Sequence, residues 1–169
     1  MRAAGVTLAI ALALVLQTTL TQFLVRGTIA VDLVLVVVVY VALMSGSVTG
    51  LLAGTVAGLV QDVLSTGVVG IGGLAKTVVG FLAGIIGTQF IVARPLPRFL
   101  VFFGATLLHQ TITIGLGVVL GLRPLGSPYA GVAGQALGNA VVGTAAFQLV
   151  ELLPGAVERR RMAKTRLRR

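Results

Sequence analysis

The chain has 169 residues, of which 57% are apolar and 10% charged, with a formal net charge of +9 and no cysteine. A soluble domain carries about 25% charged residues, so this sequence has too little polar surface to coat a water-exposed globule, and it has apolar runs long enough to cross a bilayer. The missing cysteine excludes disulfides, thiolate zinc sites and thiol nucleophiles.

The first uncharged run lies between Arg2 and Arg26 and holds 23 residues, enough for one span at about 1.5 Å per residue. Ala11-Leu12-Ala13 looks like a signal-peptide cleavage site, but the run continues without a polar break to Leu24. That predicts a retained first span over about residues 4–25. Read as one helix, Thr28 to Leu64 would be about 55 Å long against a hydrocarbon core of about 30 Å, more than tilt absorbs. Ser45-Gly46-Ser47 sits near its middle and can turn the chain, which predicts a second span over 28–44 and a third over 46–64.

A glycine-bearing segment, Ser65–Gly73, leads to a fourth span over 74–92. Arg94, Pro95, Pro97 and Arg98 make a short basic turn before a fifth span over 100–120. Arg123, Pro124, Gly126, Ser127 and Pro128 form the next loop, and a sixth span over 130–153 is expected to stop at Pro154-Gly155. The unbroken apolar run Leu33–Val39 does not fit the alternating pattern of a membrane β-barrel. The expected architecture is therefore an all-α membrane protein, a six-transmembrane-helix bundle forming one domain over 1–157, followed by a basic tail over 158–169.

Seven of the 13 basic residues lie in that tail: Arg159, Arg160, Arg161, Lys164, Arg166, Arg168 and Arg169. A basic tail directly after an apolar helix reads as a cytoplasmic anchor at anionic lipid headgroups rather than a specific nucleic-acid site. Six spans place both termini in the cytoplasm. A five-span arrangement exchanges Arg2 and Arg26 between sides and leaves the charge bias unchanged, so span length rather than charge decides for six.

Gly46, Gly50, Gly54 and Gly58 recur every four residues and form one stripe on the third span, where a neighbouring helix can approach closely. The stripe serves packing within the bundle or a partner's helix. Asp62 and Lys76 flank the glycine-bearing loop, and an intramembrane ion pair between them would lower the cost of each. Asp32 and Glu151 lie near span ends and read as interfacial. His109, Gln110, Gln135 and Asn139 fall within spans five and six, with Gln135 and Asn139 on one helical face, and predict a polar bundle interior made of interhelical hydrogen bonds or a small-molecule pocket. No catalytic set is evident: His109 has no acidic neighbour at helical spacing, and the serines lack a base. No Gly-Lys-Ser/Thr nucleotide loop occurs. The expectation is a non-enzymatic protein with no cofactor.

Val31-Asp32-Leu33 leading into an apolar run, the glycine-spaced third span and the segment GLVQDVLSTGVVGIGGLAKTVVGFLAG (Gly58–Gly84) together resemble the MreD family of rod-shape-determining membrane proteins. Asp62, Gly70 and Lys76 are the matching positions. The sequence departs at Ser45-Gly46-Ser47, where the family often has basic residues, and at Val31, where a proline often precedes the aspartate. The resemblance implies a multi-pass protein of the bacterial cytoplasmic membrane. It implies a scaffold that binds the single-span protein MreC and works with the MreB filament, the glycan polymerase RodA and its partner transpeptidase in lateral peptidoglycan synthesis. A homodimer is compatible with the sequence. The resemblance also implies a fold like that of transporter S-components, the substrate-binding subunits of energy-coupling-factor vitamin transporters. Such a subunit is the competing function. Ala9 and Ala13 match the small-residue spacing of its first span, but the chain has no Trp and only Tyr40 and Tyr129 as tyrosines, few aromatic groups to hold a vitamin.

Overall fold

A computed structural model of the chain describes residues 3–23, 31–65, 68–89, 95–122 and 129–166. The six helices are α1 (Ala3–Phe23), α2 (Leu33–Ser45), α3 (Ser47–Leu64), α4 (Ile71–Gln89), α5 (Pro95–Val119) and α6 (Tyr129–Arg166). No strand occurs among the described residues. α3, α4 and α5 are each long and apolar enough to cross a membrane; α1 contributes the apolar stretch Ala4–Thr19, and α2 is shorter, with 13 residues.

α2 is the central post. Its sequence, LVLVVVVYVALMS, has no polar face, and it buries both sides. Val34, Val38 and Val41 pack with Val6, Ile10 and Leu14 of α1 and Ala53 and Ala57 of α3. Leu35, Val39 and Ala42 pack with Val79 and Ala83 of α4, Phe102 of α5 and Phe147 of α6. In water each such burial would contribute about 1.5–3 kcal/mol. In lipid that gradient vanishes, and close approach plus hydrogen bonding decides how the helices associate.

Close approach is greatest between α3 and α4. A Cβ at Gly50 would meet the backbone of Gly80, one at Gly54 the backbone carbonyl of Lys76, and one at Gly58 the Cα of Gly73 at 2.6 Å. Gly80 and Gly84 answer from α4 against Gly50 and Ser47. The two backbones thus touch at successive turns of antiparallel helices. Thr55 Oγ1 and Thr77 Oγ1, 2.8 Å apart, add a polar rung. The stripe is occupied inside the bundle at Gly50, Gly54 and Gly58. Gly46 does something different. It is the single residue between α2 and α3 and has φ of +88°, a left-handed conformation that glycine adopts without a Cβ penalty.

α5 and α6 form a second antiparallel ladder, in which Phe102 fills the space over Gly143. Two expected boundaries are corrected. α5 begins at Pro95, not near Leu100, because Pro95 and Pro97 sit in its first turn, where a missing backbone N–H costs nothing. Arg98 is therefore a buried helical residue rather than part of a turn. α6 does not stop at Pro154-Gly155 but runs to Arg166; an internal proline forfeits one hydrogen bond at a cost of about 3 kcal/mol, and the helix resumes beyond it. The side chains of Arg159, Arg160, Arg161, Lys164 and Arg166, and the whole of Arg168 and Arg169, lie outside the described residues.

Candidate functional site: a buried polar network at one end of the bundle

The polar network begins at Asp32, the residue that caps α2. Its Oδ1 accepts from the Leu35 amide at 2.9 Å, satisfying one of the free donors at the start of a helix. Its own amide donates to Asn139 Oδ1 of α6 at 2.8 Å. Its Oδ2 lies 2.8 Å from Lys76 Nζ of α4, and the two side chains are 7% and 3% exposed. Lys76 Nζ is also 3.1 Å from His109 Nε2 of α5. An ammonium can only donate, so Nε2 is the acceptor and the ring proton sits on Nδ1. Asn139 Nδ2 donates to Thr106 Oγ1 at 3.1 Å, and Thr106 Oγ1 donates to the Phe102 carbonyl at 2.9 Å. One connected set of bonds thereby ties α2, α4, α5 and α6 together. Gln17 extends it to α1: its Oε1 accepts from the Leu33 amide at 2.8 Å, and its Nε2 donates to the Val31 carbonyl at 3.1 Å.

The expected Asp62–Lys76 pair is corrected by this geometry. Asp62 Oδ2 accepts from the amides of Gly70 and Gly73 at 2.8 and 3.0 Å, capping α4 from the end of α3. The helix N-terminus gives the carboxylate partial positive charge and two donors within a single turn. Lys76 lies farther along α4. Its backbone faces Gly54 of α3, while its side chain reaches Asp32 of α2. Asp32, expected near a span end, is the buried partner of Lys76.

His109 and Asn139 are both buried within this network. Gln110 Nε2 donates to Gln135 Oε1, which places these two one turn farther along the α5–α6 ladder. At the opposite end of that ladder Arg98 makes two hydrogen bonds to Glu151, at 2.7 and 2.6 Å, and its guanidinium lies 4.0 Å from the centroid of Phe147. Phe147 in turn meets Tyr40 edge-on at 4.9 Å between centroids. Arg98, Thr106 and Gln110 share one helical face at four-residue steps, a spacing readable in the sequence once α5 is started at Pro95.

Asp32, Asp62, Lys76 and His109 line a cavity of about 710 Å³ at the end of the bundle where α2 and α4 begin. A separate groove of about 290 Å³ between α4 and α5 is apolar, lined by residues such as Val79, Leu82, Ala83 and Leu108. The network holds fixed charges and directional donors in place, which suits rigidity and recognition.

The chain matches the family model for MreD, described as rod shape-determining protein MreD, over residues 2–149. Comparisons with curated proteins and with solved structures gave no match. Every residue of the network lies within the matched region.

Proposed function

Because the chain belongs to the MreD family, a membrane-associated, shape-determining structural family of the Rod machinery, we propose that it acts there as a non-enzymatic multi-pass scaffold that binds MreC. In this reading all six helices cross the bacterial cytoplasmic membrane, with both termini and the basic residues from Arg159 onward on the cytoplasmic side. MreC links the scaffold to RodA, its partner transpeptidase and the MreB filament, so that lateral peptidoglycan synthesis is positioned. The observation that carries the proposal is the family match over residues 2–149. The helical bundle supports it, because buried Asp32 and Lys76 are spent on each other and half-buried Asp62 on a helix end, as a rigid support requires.

The glycine stripe enters this proposal in a restricted way. Gly50, Gly54 and Gly58 are already covered by α4, so an MreC helix would pack on another face. Purification in mild detergent with mass spectrometry of co-purifying proteins tests the proposal. MreC or a wall polymerase recovered with the chain supports it. Recovery with an ATPase-coupled transport module and a bound vitamin instead would replace it with the transporter-subunit function.

A further inference from the structure

The apolar groove between α4 and α5 has dimensions that select its occupant. Val79 and Ala83 of α4 line it and are buried, while Leu82 and Leu100 line it and are exposed. Gly104 and Ala105 of α5 keep it open, and a Cβ added at Gly104 meets nothing within 4 Å. Along α5 the lining runs from Leu100 to Leu108, about 12 Å of helix. A volume of about 290 Å³ over that length corresponds to a cross-section of about 24 Å².

An α-helix with its side chains, about 10–12 Å across, needs roughly 80–110 Å² and does not enter. A single hydrocarbon chain, whose neighbours sit about 4.0–4.5 Å from its carbon atoms, needs roughly 20 Å² and fits. Depth agrees with that occupant. The groove starts about 8 Å from the Pro95 end of α5. It ends at Leu108, beside His109, where the Lys76–His109 contact crosses the α4–α5 seam. With α5 spanning a hydrocarbon core of about 30 Å, the groove falls mostly within one leaflet. A chain lying there gives its walls close dispersion contacts and places hydrocarbon, not water, against that side of the buried Lys76–His109 contact.

We propose that this groove is a lipid site that holds one acyl chain of a phospholipid from the leaflet at the Pro95 end of α5, with the chain's methyl end toward Leu108. The proposal rests on α4 and α5 crossing the membrane, as their length and apolar composition allow, and not on which protein the scaffold binds.

The test uses the full chain in nanodiscs of phosphatidylethanolamine and phosphatidylglycerol. After transfer to mild detergent and washing, native mass spectrometry counts the lipids that stay bound. The wild type is expected to keep one phospholipid per chain. Gly104→Leu puts a side chain where the acyl chain would lie and should lose that lipid. Gly115→Leu is the control: a Cβ at Gly115 also meets nothing within 4 Å, but Gly115 does not line the groove, so the lipid should stay. A second measurement needs only the wild type. Phosphatidylglycerol with a photoreactive diazirine at the end of one acyl chain should label peptides around Leu108 and Val79, and a diazirine near the ester should label those around Leu100 and Ile86. Three results overturn the proposal: no lipid retained by the wild type, equal retention by Gly104→Leu, or labelling that does not depend on where the diazirine sits in the chain.

Discussion

Replacing Lys76 by methionine keeps the length and much of the shape of the side chain and removes its charge, which isolates what the pair with Asp32 contributes. The nitrogen–oxygen distance is 2.8 Å with both side chains almost fully covered, a gross attraction of about 6 kcal/mol at an effective dielectric near 20. Desolvation of both ions consumes much of that, so the pair as a whole adds little net stability. Breaking it is another matter: Lys76→Met strands Asp32 as a buried carboxylate and should cost about 3–5 kcal/mol. Asp32→Asn retains an oxygen for the Leu35 amide, so its loss should come mainly from stranding Lys76, again by about 3 kcal/mol or more. The double variant strands neither charge and should recover at least about 2 kcal/mol of the summed losses, a coupling within the range for contacting residues. Denaturation of detergent-solubilised protein, followed by circular dichroism across the four variants, measures that coupling. Additive losses would show that the two charges do not act on each other. A matching cycle between Asp62 and Lys76 should show a much smaller coupling, since the Asp62 carboxylate is engaged by the Gly70 and Gly73 amides.

Gly54→Leu should prevent the close approach of α3 to α4 and sharply lower the folded yield, measured by size-exclusion recovery, because even a Cβ there collides with the Lys76 backbone. Gly115→Ala, where nothing lies within 4 Å of the added carbon, should be neutral or stabilising by up to about 1 kcal/mol in the same assay. Asn139→Leu deprives the Asp32 amide and Thr106 of their partner and should lower stability by about 1–3 kcal/mol, with the loss read from the same denaturation curves. Arg98→Lys should lower the melting midpoint, since lysine reproduces neither the two-pronged contact with Glu151 nor the flat stacking on Phe147; an unchanged midpoint would mean that this end of the ladder is not under load.

The features readable in the sequence were those whose signal is local. Glycines at four-residue steps lie on one helical face wherever that helix sits, so the stripe from Gly50 to Gly58 was legible as a contact surface, and Gly46 as the turn that splits a run too long for one span. Gln135 and Asn139 were likewise legible as one polar face. Pairing across the bundle was not. Asp62 is much nearer to Lys76 in sequence than Asp32 is, and proximity favoured the wrong carboxylate. Which one Lys76 reaches depends on α2 lying against α4, and nothing in the spacing encodes that. Asp62 carried a different local signal, a carboxylate before a glycine-bearing helix start, which is chemistry for a helix cap. Arg98 was hidden by the two prolines just before it, Pro95 and Pro97, which mark a turn or the first turn of a helix equally well.

The length of α2 explains why charges are buried here at all. Thirteen residues make a helix of about 20 Å, against a hydrocarbon core of about 30 Å. If its neighbours cross the membrane, α2 ends short of one surface, and the backbone donors at its start lie at a depth where water cannot be relied upon to satisfy them. Asp32 caps them, but a carboxylate at that depth itself requires a counter-charge, which Lys76 supplies. Lys76 then needs its remaining donors used, and His109 accepts one. Each polar residue answers a deficit created by the one before it, and the sequence of compensations stops at His109 Nδ1, which has no partner among the described residues. A longer α2 would remove the need for the whole chain of residues. Adding one apolar turn before Leu33 should therefore destabilise the bundle through loss of the Asp32 contacts, and the extended protein should then tolerate Lys76→Met better than the natural one does. Equal sensitivity to Lys76→Met in both backgrounds would refute this account of why the network exists.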